Sequence, residues 1–333
     1  MPPLTPRPRL RPRLPLRLYS SNDPPQSSLL VTNVKAPSSG SVRVLELNRP
    51  RARNALSVEL VTSLRRELED VRSQYDAVDG REVSMSAVGA EEEEASTRPT
   101  RALVIASAVD SCFCAGADLK ERRTFTAQQT TEFLSNLRKT MDVLSSLPIP
   151  TIAAISSLAL GGGLELALCT HLRVMTTNAM VGLPETRLAI IPGAGGTHRL
   201  VNMIGRSRAL DLILTGRRLS APTAYFFGLA DRLVSPDEKG KEDSKNDNNQ
   251  LDKQSQEARL LQNARIAARD EALRLAFEIC EGGPVAIRAA VEAVTNPSPI
   301  KEAEMYRRVV DTDDRNEALI AFQEKRKPVF KGR

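Results

Sequence analysis

At 333 residues with 41% hydrophobic side chains, the chain can bury one large domain or two ordinary ones. No apolar run approaches the roughly 18 residues of a membrane-spanning helix, which argues against a helical membrane protein. The formal charge of +6 suggests a nucleic-acid partner until it is located: residues 1–18 hold five arginines (7, 9, 11, 13 and 17) and no acid, and taking them from the 47 basic residues leaves 42 against 41 acidic ones, about +1 for the body.

The leader MPPLTPRPRLRPRLPLRL runs into RLYSSND, with its first acid at Asp23. Arg-rich and acid-free, it reads as a mitochondrial presequence over residues 1–22; a disordered basic tail is the alternative, because six prolines spoil a continuous amphipathic helix. Residues 42–48 (VRVLELN) then alternate as a strand does, and Pro50 and Asn54 mark a turn. From Val58 to Tyr75, Leu60, Leu64, Leu68 and Val71 recur at helical spacing. An acidic, low-complexity stretch near 79–99 reads as a surface insertion.

The run RALVIA (101–106) is a buried strand, followed by CFCAGADLKER, a helix over 126–147 and the strand TIAAI (151–155). After a triple glycine come a short helix and strands at 172–176 and 180–183; helices follow at 205–214 and 221–227. A second polar insertion near 236–257 has almost nothing to bury. Helices then cover 258–277, 285–295 and 300–323. Strand and helix alternate in the middle and helices alone close the chain, so the sequence predicts an α/β core over 30–284 with a helical region over 285–333.

Composition narrows the chemistry. Cys112 and Cys114 are too few and too close for a zinc framework, and Cys169 and Cys280 stand alone, as reduced buried thiols of a non-secreted protein do. With only His171 and His198, a His-rich metal site is set aside, and no metal is expected. The glycines fit neither the G-x-G-x-x-G fingerprint nor a phosphate loop, so no nucleotide cofactor is indicated.

Two glutamates stand out instead. Glu165 lies in LALGGGLELAL and Glu185 in VGLPETRLAIIPGAGGTHRL. Gly162 sits where a helix begins and leaves unpaired N–H groups, and Ala117 follows a strand in the turn CAGADLK. Two such N–H groups aimed at one oxygen form an oxyanion hole, and two carboxylates can divide proton work between water and carbon. Each feature also has an ordinary structural reading: Asp118 as a helix cap, Glu165 as a first-turn acid, Pro-Glu at 184–185 as a helix start, and 192–196 as a flexible turn.

Taken together, AGADLKER, IAAISSLALGGGLELAL, GLPETRLAIIPGAGGTHRL and TDDRNEALIAFQEKRKPVFKG resemble motifs of the enoyl-CoA hydratase/isomerase (crotonase) family, in family order from about Val42 to Lys331. Within the family, AGADLKER and LAIIPGAGGT look most like the mitochondrial methylglutaconyl-CoA hydratases of leucine degradation; the next likeness is to short-chain enoyl-CoA hydratases of fatty-acid β-oxidation. The resemblance implies a crotonase-like spiral of ββα units with a C-terminal helical trimerisation region, assembled as a trimer or hexamer in the mitochondrial matrix. It implies syn addition of water across the 2,3 double bond of an acyl-CoA thioester, with coenzyme A part of the substrate and no separate cofactor.

Carried onto this sequence, the resemblance makes the N–H groups of Ala117 and Gly162 the oxyanion hole. Glu165 would activate water for C3 and Glu185 would protonate C2. Gly193 would help position the water, and Lys120, Arg53 and Lys325 would contact coenzyme A, with Lys325 placed to reach a neighbouring subunit. A carboxylated acyl group would need a basic or hydrogen-bonding partner, and the string does not single one out. Where many hydratases carry Asp, this chain reads Cys169-Thr170-His171, and His171 is read as a structural substitution rather than a base. Some methylglutaconyl-CoA hydratases also bind RNA through a lysine-rich first helix; here the matching 58–75 mixes Arg65, Arg66 and Arg72 with four acids, so RNA binding is not expected.

Overall fold

The computed structural model describes residues 27–76, 80–83, 99–236 and 253–333. The expected presequence and most of the two expected insertions lie outside the described residues. Strand β1 (Leu29–Lys35), not foreseen from the sequence, pairs antiparallel with β2 (Ser41–Leu47). Helix α1 (Val58–Ser73) starts at Ser57, whose Oγ accepts the Leu60 N–H at 3.2 Å. Its Leu60, Val61, Leu64, Leu68 and Val71 are buried, as the spacing predicted. On its outer face Arg65 pairs with Glu69 and Arg66 with Glu67, so the basic groups are locally neutralised.

From β3 (Thr100–Ser107) onward the chain repeats one manoeuvre. A strand joins a large sheet, a short strand joins a small one, and a helix returns. The units are β3, β4 (Cys112–Cys114), α2 (Leu119–Arg122) and α3 (Ala127–Ser145); then β5 (Thr151–Ile155), β6 (Leu158–Leu160) and α4 (Gly162–Leu168). Next come β7 (Leu172–Thr176), β8 (Met180–Gly182), α5 (Gly196–Ile204) and α6 (Arg206–Thr215). The last pair is β9 (Leu219–Ser220) and β10 (Arg232–Val234), with α7 (Ala221–Phe226) between them. The large sheet runs β1-β2-β3-β5-β7-β10 and the small one β4-β6-β8-β9. This is the expected spiral of ββα units.

Both faces of the large sheet are covered, as its parallel pairs require. Along β3, Leu103 and Ile105 enter the core between the sheets with Leu45, Phe113 and Leu164. The alternate Ala102, Val104 and Ala106 meet Ala268, Ala272 and Ala276 of α8 (Lys253–Cys280) on the other side. Small residues on both strand and helix let that long helix lie close to the sheet.

The chain ends in α9 (Pro284–Thr295), α10 (Pro299–Val310) and α11 (Asp313–Gln323). Glu82 ties this region to the core, accepting from Arg101 and, at 2.9 Å, from Arg288. The C-terminal tail folds back so that Asp314 accepts the N–H groups of Lys331 and Gly332, at 2.6 and 2.8 Å.

Three expectations are corrected. The helix expected over 300–323 is two, because Thr312 leaves the helical conformation to cap α11, accepting the Arg315 N–H at 3.2 Å. The turn read at 192–196 runs into a helix, for residues 196–204, with no helix expected there, form α5: Gly195 at φ 110° supplies a reversal that a side chain would resist. Helix α8 starts at Lys253 inside the expected insertion, its first turns exposed and so without an apolar signal. Among the described residues no helix is long and apolar enough to cross a membrane.

Candidate active site

A cavity of about 660 Å³ opens where the starts of α2 and α4 meet the loop after β8. Its walls include Ala117, Gly162, Glu165, Glu185 and Gly193, so five residues spread over 77 positions of sequence share one space. The volume lies in the range of small-molecule sites, roughly 300–1,000 Å³.

The segment carrying Ala117 is pinned by Leu56. Leu56 donates its N–H to Gly116 O at 2.8 Å and accepts the Asp118 N–H at 3.3 Å, holding the Ala117 turn. Asp118 caps α2, accepting from Glu121 at 3.2 Å, and pairs with Arg49 at 3.0 Å, the capping role read from the sequence. Gly116 has φ 101°, and a Cβ there would lie 2.8 Å from Leu160 O and 3.4 Å from the Gly162 nitrogen. The Ala117 nitrogen is 3.8 Å from where a Gly162 Cβ would project. Glycine on both segments thus brings two backbone donors side by side, and among the described residues neither N–H has a hydrogen-bond acceptor.

Glu165 is the fourth residue of α4 and only 3% exposed. Its Oε1 accepts the N–H groups of Ala194 and Gly196, both at 2.8 Å, where α5 begins. A Cβ at Gly196 would come within 3.0 Å of that oxygen, so the Gly-Ala-Gly-Gly loop is a cradle for a carboxylate rather than a loose turn. Burial pushes the Glu165 carboxyl above its ordinary value, and the bonds from Gly196 and Ala194 work against that rise.

Glu185 opens the 3-10 turn Glu185–Leu188, just past β8. The hydrogen bond from Gly161 N–H to Gly182 O at 2.9 Å joins the two loops and brings the second carboxyl to the cavity. Gly161, at φ 53°, leaves 3.0 Å between its missing Cβ and Glu185 Oε1. The carboxyl is 8% exposed, and its Oε2 is buried without a partner among the described residues. Burial, reinforced by the nearby Glu165 charge, raises the Glu185 carboxyl to about 7.

The two acids are therefore unlike. Donors favour the charged form of Glu165, whereas Glu185 has no side-chain donor and faces a like charge. Of the two, Glu185 is the one whose surroundings favour the protonated form. The arrangement can hold an oxyanion, accept a proton from water at one carboxylate and deliver a proton from the other.

Other expected contacts fall elsewhere. Lys120 is exposed on α2, Arg53 is exposed with φ 49° while its carbonyl accepts the Ala115 N–H at 3.0 Å, and Lys325 is exposed just past α11; none lines the cavity. His171 lines a separate groove. Its Nδ1 accepts the Thr151 N–H at 3.1 Å, so the ring is the Nε2-protonated tautomer, and burial lowers its pKa; it ties β5 to β7 and is no base for the site. The four cysteines are buried free thiols, and burial raises those of Cys112, Cys114 and Cys169 to about 12. Sequence reading missed Arg122 and Arg138, which both line the cavity. A hydrophobic pattern is blind to which charged side chains on a helix reach a cavity.

Comparison with known proteins gives a consistent result. The sequence model of the family described as "Enoyl-CoA hydratase/isomerase" matches residues 90–280. "Methylglutaconyl-CoA hydratase 1, mitochondrial" of Pyricularia oryzae is 58% identical over 325 residues, covering 96% of this chain and 90% of the relative. The human "Methylglutaconyl-CoA hydratase, mitochondrial" is 35% identical, covering 96% of this chain and 81% of the relative. The crystal structure of an enoyl-CoA hydratase from Bacillus anthracis superposes with a TM-score of 0.70 at 36% identity, covering 91% of this chain and 99% of that one.

Proposed function

The chain belongs to the enoyl-CoA hydratase/isomerase family and is an enzyme of the hydro-lyase class, and from that premise we propose that it hydrates 3-methylglutaconyl-CoA, a step of leucine breakdown. The observation that carries the reaction is the unlike pair of carboxyls facing two free backbone donors in one cavity. Support for the acyl group comes from the 58% identical relative and its printed name.

In this reading the thioester oxygen accepts the N–H groups of Ala117 and Gly162. Those donors stabilise the enolate that forms as C3 is attacked, an effect worth about 2.7–4 kcal/mol per donor. Glu165, with one oxygen held by Ala194 and Gly196, takes a proton from a water molecule whose oxygen bonds to C3. Gly193, in the same wall, helps position that water. Glu185, protonated, gives its proton to C2 on the same face. Glu165 then holds the proton taken from water and Glu185 is left ionised, and proton exchange with solvent resets the pair. Coenzyme A arrives with the substrate, and no separate cofactor enters the scheme. Lys120, Arg53 and Lys325 remain our assignments for its polar parts.

The acid role of Glu185 sets a pH dependence. Its active form is the protonated one, so kcat/KM for hydration falls as pH rises through about 7. Glu165 must be ionised, so activity also falls on the acid side. Because the groups interact, both limbs belong to the pair. Initial rates from pH 5 to 9 check this; an alkaline limb that persists unshifted in Glu185→Gln would remove Glu185 as the proton donor.

Substrate choice is tested with 3-methylglutaconyl-CoA against crotonyl-CoA. We expect a kcat/KM at least about tenfold higher for the former, a difference of about 1.4 kcal/mol in transition-state binding. The reverse order would place the chain among short-chain enoyl-CoA hydratases.

Two further elements complete the reading. Val294, Tyr306 and Phe322 on the C-terminal helices are 79, 71 and 84% exposed, the sort of surface a subunit contact covers; we assign a trimer or a hexamer, which light scattering separates. We assign the chain to the mitochondrial matrix; the mitochondrial names of the relatives support the organelle.

A further inference from the structure

We propose that Arg122 is the specificity-determining residue that pairs with the terminal carboxylate of a dicarboxylic acyl chain. The inference rests on the reading above that the substrate carries such a carboxylate.

The argument starts from charge balance. The cavity already holds Glu165 and Glu185, and a third carboxylate brought into it with the substrate is repelled unless a cation meets it. Only two basic side chains line the walls among the described residues, Arg122 and Arg138. Arg138 is committed: its Nε donates to Gly193 O at 2.7 Å, holding the loop that cradles Glu165. Arg122 is different. Among the described residues its guanidinium has no hydrogen bond or ion pair, and its Cζ lies 5.2 Å from the centroid of the buried Phe133 ring.

A half-buried arginine stacked on an aromatic ring with its donors unspent is built to bind something from outside. Two carboxylate oxygens match its planar fork.

Position agrees. Arg122 ends α2, five residues beyond Ala117, and shares the cavity with Glu165, whose charge it feels; burial lowers the guanidinium's pKa and Glu165 opposes that. With the thioester oxygen at Ala117 and Gly162 and C3 beside Glu165, the terminal carboxylate of a five-carbon acid lies two carbons farther on. Leu119, Leu134 and Leu137 wall the same space with apolar surface. A methyl-branched chain fits such a wall; a carboxylate needs the arginine.

The test uses the full chain and Arg122→Met and Arg122→Lys variants. With 3-methylglutaconyl-CoA we expect kcat/KM to fall about 100-fold in Arg122→Met, with the loss mainly in KM, and to recover partly in Arg122→Lys, as for one partner removed from a desolvated charge pair. With crotonyl-CoA the loss stays below about fivefold, since that chain has no carboxylate to pair. Equal losses on both substrates, or no loss on either, overturn the proposal. Binding of saturated glutaryl-CoA and butyryl-CoA gives a readout free of turnover. We expect glutaryl-CoA to lose about tenfold or more in affinity in Arg122→Met and butyryl-CoA to lose little. If the wild type fails to prefer 3-methylglutaconyl-CoA yet glutaryl-CoA binding depends on Arg122, the substrate reading fails and the carboxylate site stands. If glutaryl-CoA binding is indifferent to Arg122, the site itself falls.

Discussion

Replacing Glu165 with Gln lowers kcat for hydration by about 10³-fold while KM changes by less than about threefold. The reason lies in how the side chain is held. Oε1 accepts from Ala194 and Gly196, and the amide oxygen of Gln can accept the same two hydrogens, so the start of α5 keeps its partner. What disappears is the basic oxygen turned to the cavity: an amide cannot take a proton from water. Steady-state rates with a thermal melt on the same preparation check it, and the melt should stay close to wild type.

Glu165→Ala is the instructive contrast. It strands two buried N–H donors, so it loses stability as well as activity, by about 1–3 kcal/mol. A Glu165→Gln enzyme within tenfold of wild-type kcat would show that the water is activated elsewhere.

Gly163→Ala, one position past a proposed donor, costs both fold and rate. A Cβ there would lie 2.2 Å from Cys114 O and 2.8 Å from two other Cys114 atoms, contacts that backbone cannot relieve by a rotamer change. In an open helix the same substitution stabilises by up to about 1 kcal/mol. Here the steric term wins, because α4 must move away from β4 as a unit. We expect a loss of about 3 kcal/mol or more and a fall in Tm of roughly 5 °C.

The displaced segments are the ones that carry Gly162 and, three residues past Cys114, Ala117. Separating two donors that must meet one oxygen lowers kcat by roughly 10²-fold in the protein that still folds. An unchanged melt and rate would mean that β4 and α4 are farther apart than described.

The site itself was largely legible in the chain. Glu165, Glu185, Ala117 and Gly162 could be singled out because each stands in a glycine-marked frame, Gly193 came from the family resemblance, and all five line one cavity. Glycine is informative in this way because close backbone approach excludes Cβ: at Gly116, Gly161 and Gly163 a side chain would meet Leu160 O, Glu185 Oε1 and Cys114 O. Long elements were equally readable, since α1 and β3 are patterned by burial on one face or on both.

What the string could not carry is long-range pairing. The strands β4 and β6 are three residues long and exist only because each finds the other, so no local period announces them. Helix α5 hides behind the glycines that start it, and its first N–H groups acquire meaning only when Glu165 arrives from 31 residues earlier. The same holds for the acids' protonation: nothing local distinguishes the two glutamates, whereas burial, two donors from a distant loop on Glu165 and only its own backbone N–H on Glu185 separate them in space. Arg122, ordinary in the string, becomes a cavity cation without a hydrogen bond or ion pair among the described residues. Sequence alone determined the chemical inventory and the family pattern, because residue type and local spacing are one-dimensional; tertiary structure decided which carboxyl favours its protonated form and which charges face one cavity, because electrostatics acts through space and not along the chain.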